Sequence, residues 1–132
     1  MINSEQLFSL ALKVRENAYA PYSGFAVGAA AVGASGRIYG GCNVENAAYP
    51  CGTCAEAGAL AAMVAGGDKK LAAILIVADT PHILPCGNCL QKIAELADAD
   101  TLIYCADLNG VHHTYRVSEL LPNNFSAEDI RS

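Results

Sequence analysis

The chain has 132 residues, 53% hydrophobic and 16% charged, with a formal charge of −5 at pH 7 and a pI near 5.0. That length suits one domain, expected over residues 1–132, with a single core. Eight scattered Lys and Arg exclude a basic nucleic-acid face, and no run of about 18 apolar residues offers a membrane span.

The opening segment reads as an amphipathic helix. Asn3 can cap it, with Gln6 three residues on, and Leu7, Leu10, Ala11, Val14 and Ala18 recur at helical spacing before Pro21 and Gly24 stop it. Residues 1–9 lack the basic-then-apolar order of a signal peptide, so the expected location is the cytoplasm. Two strands, Ala26 to Val32 and Arg37 to Gly41, flank the turn Gly33-Ala34-Ser35-Gly36 as a hairpin.

After a loop over 43–53, the run Cys54 to Ala65 is helical and ends at Gly66-Gly67. Leu71 to Ala78 is continuously apolar, the mark of a strand buried on both faces. Pro85 precedes a third helix, roughly Gly87 to Ala97, followed by strands Thr101 to Cys105 and, near an edge, Val111 to Val117. Leu120, Leu121 and Phe125 give the tail apolar anchors. Strands alternating with helices after a hairpin predict an α/β fold with a mixed sheet covered on both faces. So many Ala and apolar residues in a short chain also point to oligomerisation.

Six cysteines stand at 42, 51, 54, 86, 89 and 105. In a reducing compartment, cysteines gathered in short motifs are metal ligands or catalysts more often than disulfides. Two patterns matter together: Cys54-Ala55-Glu56 at one helix start and Pro85-Cys86-Gly87-Asn88-Cys89 at another. Two thiols three positions apart share a helical face and suit a tetrahedral metal with Zn–S distances of about 2.3 Å. Cys54 as third ligand leaves the fourth position open, as catalysis requires. Helix N-termini favour negative charge and so ease thiol deprotonation. Glu56, two residues from Cys54, can carry protons to and from a metal-activated water. Two readings compete: a redox Cys-x-x-Cys pair, and a closed structural zinc site with Cys51 as fourth ligand in a non-catalytic binding module.

Taken together, these segments resemble the cytidine deaminase family in its small homotetrameric form. Tyr22-Ser23-Gly24-Phe25-Ala26-Val27-Gly28-Ala29-Ala30 resembles the family's Y-S-x-F-x-V-G-A-A. Asn43-Val44-Glu45-Asn46-Ala47-Ala48-Tyr49 resembles N-V-E-N-A-x-Y, and the two cysteine patterns resemble C-A-E and P-C-G-x-C. The resemblance implies a three-layer α/β/α sandwich with a mixed, roughly five-stranded sheet. It implies one Zn2+ per subunit on Cys54, Cys86 and Cys89, and hydrolysis of cytidine or 2′-deoxycytidine to the uridine product plus ammonia, as in pyrimidine salvage. Glu56 would protonate N3 and then the departing ammonia. Asn43 and Glu45 would hold the ribose 3′-hydroxyl, Phe25 would pack on the pyrimidine, and a backbone group at Ala55 would assist the leaving amine. Tyr49 and Phe125 would complete sites in neighbouring subunits.

Two departures stand out. The family's C-A-E-R-T-A is here Cys54-Ala55-Glu56-Ala57-Gly58-Ala59, and the Arg usual after P-C-G-x-C is Leu90. Two cations that would face the thiolates are missing; Arg37 or Arg116 could substitute. A different aminopyrimidine substrate, such as blasticidin S or a modified cytidine, is the second enzymatic reading.

Overall fold

The computed structural model describes residues 2–131; Met1 and Ser132, the ends of the expected domain, lie outside the described residues. Asn3 caps helix α1 (Ser4–Arg15), its Oδ1 accepting from the N–H groups of Glu5 at 2.9 Å and Gln6 at 3.3 Å. The helix stops earlier than its periodicity predicts, at Arg15 rather than near Pro21. Tyr19 is drawn into an extended bridge with Val44, exchanging bonds with Asn43 and Glu45, so the backbone must leave the helix before it.

Strands β1 (Val27–Gly33) and β2 (Ile38–Cys42) form the expected hairpin, each shifted about one residue from its predicted span. Helix α2 (Ala55–Ala65) follows a 3-10 turn at Tyr49–Cys51, and β3 (Leu71–Ala78) spans the predicted residues. Helix α3 (Gly87–Leu96) crosses to β4 (Leu102–Asp107), which pairs with β5 (Gly110–Arg116). Two short helices, α4 (Val117–Leu120) and α5 (Ala127–Arg131), had no sequence signal strong enough to predict them.

The sheet order is β2-β1-β3-β4-β5, with β3 and β4 parallel and the other pairs antiparallel. It is the expected mixed five-stranded sheet, and β5 lies at its edge. Alternating side chains divide the core in two. Leu7 and Ala11 of α1 meet Ala30, Val32, Leu75 and Val77 on one face. On the other, α2 and α3 bring Ala59, Leu60, Met63 and Ile93 against Ala29, Ile74, Ile76 and Ile103. Three layers result, with α2 and α3 side by side and their N-termini at one end.

Glycine lets α2 come this close. A Cβ on Gly41 would sit 2.3 Å from Ala59 N and 2.6 Å from the Ala55 carbonyl. Gly41→Ala must therefore push back α2, the helix that Cys54 precedes. Overpacking of this kind costs about 3 kcal/mol, a fall in Tm of about 10 °C that a thermal melt will measure.

Candidate active site

Cys54 and Cys86 are the N-cap residues of α2 and α3, both extended (φ −75°, ψ 157° and φ −73°, ψ 167°). Sequence reading had Cys54 inside its helix; the cap position is one residue outside. Neither thiol caps its own helix, and Cys89, one turn into α3, is buried. The three sulfurs lie within 4.8 Å of one another. A tetrahedral zinc would draw them to roughly 3.8 Å, the spacing set by Zn–S bonds of about 2.3 Å. The donor set therefore fits that ion with little rearrangement, with one coordination position left open.

Cys51 takes no part in this cluster. It sits exposed at the end of the 3-10 turn; Gly52 is extended and Thr53 bridges to Val44, so the chain advances about 10 Å before Cys54. Among the described residues the metal-capable group is three thiols, and the geometry does not favour the four-thiolate alternative.

Burial holds the Cys54 thiol above its ordinary pKa, and the neighbouring charges of Cys86 and Glu56 add to this. Cys89 is pushed far up, again by burial first and then by Glu56 and the other thiols. Burial opposes ionisation at Cys86 too. Backbone N–H groups of Cys89 and Asn88, with hydrogen bonds from the other two thiols, nonetheless bring it below the usual thiol range. A divalent cation here would reverse the cost of ionising all three.

Glu56, 5% exposed, lies in the first turn of α2. Desolvation raises its pKa, partly countered by its own backbone N–H, by Cys89 and by the charge of Lys92. Cys105, buried on β4, is pushed up to about 11 by burial and by the charge of Glu56. The loop leading to Cys86 is tied to β5: His82 stacks on His113 with centroids 3.9 Å apart, and its Nε2 meets the Tyr115 hydroxyl at 2.7 Å.

The absent arginines have physical counterparts. Leu90 is packed in the core, 8% exposed, while Ala57 lines a groove between α2 and α3 together with Thr53 and Lys92. Lys92 is the cation whose field reaches Glu56, and sequence reading missed it. Arg37 lies instead by Asp68 and Tyr39, and Arg116 pairs with Glu119 and Asp100, so neither substitutes at the thiols.

Beside Cys54 opens a cleft of about 420 Å³ lined by Tyr22, Ser23, Asn43, Glu45, Tyr49 and Thr53, among others, with no Lys or Arg among the described residues. Asn43 Oδ1 accepts from Val27 N–H at 2.9 Å and its Nδ2 donates to the Phe25 carbonyl at 2.8 Å. Glu45 accepts from the N–H groups of Tyr22 and Ser23 and from the Ser23 hydroxyl, and these bonds lower its pKa. Asn43, Glu45 and Tyr49 thus share one cavity with Cys54. Phe25, 40% exposed, does not line it in the single chain, and Ala55 is buried at the start of α2. Tyr49 is 78% exposed, with its ring edge-on to Tyr22.

Phe125 corrects an expectation. Leu120 and Leu121 pack against the core as predicted, but the Phe125 ring is 61% exposed and anchors nothing. Its carbonyl is what holds the tail, accepting from Gln91 Nε2 at 2.7 Å.

A family model described as the cytidine and deoxycytidylate deaminase zinc-binding region matches residues 1–106. The cytidine deaminase of Halalkalibacterium halodurans is 44% identical over 130 residues, covering 98% of each chain. That of Sporosarcina psychrophila is 43% identical over 96% of this chain and 93% of its own. Among solved structures, the cytidine deaminase of Burkholderia pseudomallei superposes with a TM-score of 0.88 at 39% identity, covering 94% of this chain and 100% of its own. A substituted form of the Mycobacterium tuberculosis cytidine deaminase gives 0.84 at 33%, covering 98% and 99%.

Proposed function

The chain belongs to the family of deaminases that carry the cytidine and deoxycytidylate deaminase zinc-binding region, and we propose that it hydrolyses cytidine or 2′-deoxycytidine to the corresponding uridine nucleoside and ammonia. The observation that carries this reading is the convergence of Cys54, Cys86 and Cys89 with the buried carboxyl of Glu56. Cys54, Cys86 and Cys89 would hold one zinc per chain, which supplies an acidified water and a Lewis acid.

Glu56 does the proton work. It takes a proton from the attacking water and delivers it to ring N3 as the new C–O bond forms at C4; it then takes the proton of the new C4 hydroxyl and passes it to the departing amino nitrogen as the C–N bond breaks and C4=O forms. A raised pKa suits a group that must both accept and donate near neutrality. The backbone at Ala55, in the first turn of α2, faces the leaving amine in this scheme. Asn43 and Glu45 bind the ribose 3′-hydroxyl, and Phe25 packs on the base.

Glu45 and the lack of cations in the cleft favour a nucleoside over a nucleotide, since a 5′-phosphate would meet like charge and no partner. The reading includes a homotetramer in which Tyr49 and Phe125 reach neighbouring sites; the open cleft and their exposure support it. Three reduced thiols suit the cytoplasm.

The test is ammonia release from cytidine, 2′-deoxycytidine and their 5′-monophosphates. Both nucleosides should turn over, with kcat/KM at least about 100-fold above either monophosphate. Equal turnover of the monophosphates would overturn the nucleoside assignment, and no turnover of any of the four would overturn the function.

A further inference from the structure

The Glu45 carboxylate is unusually well held for a surface group. Its Oε1 accepts from Tyr22 N–H at 2.9 Å and Ser23 N–H at 3.1 Å, while Oε2 accepts from the Ser23 hydroxyl. The serine oxygen in turn accepts from Phe25 N–H at 3.0 Å. This loop is turned by Gly24, whose φ of +69° only glycine adopts freely and whose N–H closes the turn on the Ala20 carbonyl at 2.9 Å. An ionised carboxylate offers about four acceptor positions, two on each oxygen. Three are filled from within the chain, two on Oε1 and one on Oε2, which leaves one on Oε2. Glu45 and Ser23 both line the cleft beside Cys54.

We propose that Ser23 is a positioning residue for sugar recognition, fixing the Glu45 carboxylate so that a single acceptor is left for a hydroxyl donor on the substrate sugar. This rests on the reading that Glu45 faces the ribose 3′-hydroxyl. A free carboxylate can rotate to meet many donors. One pinned at three points discriminates by direction, and the Ser23 oxygen that pins it also accepts from Phe25 N–H. Ser23 thereby ties the Glu45 side of the cleft to the backbone that carries Phe25.

The experiment compares cytidine with 3′-deoxycytidine in the full-length, zinc-loaded enzyme. Ser23→Ala should raise KM for cytidine about 10-fold, the loss of one hydrogen bond to a charged group, with kcat within about 2-fold. KM for 3′-deoxycytidine, which has no 3′-hydroxyl to lose, should be unchanged. Ser23→Thr keeps the hydroxyl and should restore the parent KM. Ser23→Cys keeps the size but donates weakly, and should show the same substrate split as the alanine variant if that one does not fold.

Equal KM increases on both substrates would mean that Ser23 only supports the loop, and the proposal fails. It also fails if Ser23→Ala changes neither KM. Glu45→Gln separates the two levels. If it raises KM for cytidine alone while Ser23→Ala does not, positioning by Ser23 is wrong and the role of Glu45 stands. If Glu45→Gln affects both substrates alike, the sugar-binding reading falls, and the proposal with it.

Discussion

Glu56→Gln is expected to lower kcat on cytidine by about 10³-fold while the protein keeps its fold and its zinc. Glutamine fills the same volume in the first turn of α2, so packing against Cys89 and Cys105 is preserved. It cannot take up or release a proton, and positioned proton transfer contributes about 10² to 10⁴ in rate. Losing a negative charge beside three thiols eases their ionisation, because Glu56 raises the pKa of both Cys54 and Cys89. Zinc content should therefore hold or rise. KM should change little, as the sugar contacts proposed at Asn43 and Glu45 belong to the cleft, which Glu56 does not line. Single-turnover kinetics with a metal assay on the same sample check both halves. Near-parental kcat with full zinc would remove Glu56 from the proton-carrying role.

Much of this site was legible because its chemistry is written in short local patterns. Pro85 and the Cys86-to-Cys89 spacing define a helix start and a shared face without tertiary information, and α3 begins where they indicate. The unbroken apolar run of β3 announced a central strand, and its span matched residue for residue. What could not be read locally depends on distant partners. The end of α1 is set by the Tyr19–Val44 bridge, which competes with helical spacing from 25 residues away. Phe125 looked like an anchor because it is aromatic, yet the contact that fixes the tail is a carbonyl, invisible to any side-chain pattern. Lys92 could not be singled out among scattered cations until α2 and α3 lay side by side with Ala57 between them. The fixing of Glu45 was hidden for a related reason: it depends on backbone N–H groups aimed by the turn at Gly24.

Cys89→Ala is expected to abolish zinc retention and activity together while leaving a folded protein, and the contrast with Cys51→Ser decides what kind of metal centre this is. Cys89 is the buried member of the cluster, 1% exposed, and its removal leaves two of the three clustered thiols among the described residues, Cys54 and Cys86. Two ligands hold zinc far more weakly than three, so the metal should drop below about 0.1 per chain after dialysis against a mild chelator. The two core clusters are built from aliphatic contacts on both faces of the sheet, so circular dichroism should remain that of an α/β protein. A small cavity at position 89 adds a Tm decrease of a few degrees, on the order of 1 kcal/mol. Cys51→Ser, by contrast, should keep one zinc per chain and parental turnover, because Cys51 stands outside the sulfur cluster at the end of an extended approach to Cys54. Loss of zinc in Cys51→Ser would restore a closed four-thiolate site, in which no position remains for water and hydrolysis at this centre is untenable. Zinc retained in Cys51→Ser but lost in Cys89→Ala leaves three thiolates and an open fourth position, which is the arrangement that deamination beside Glu56 requires.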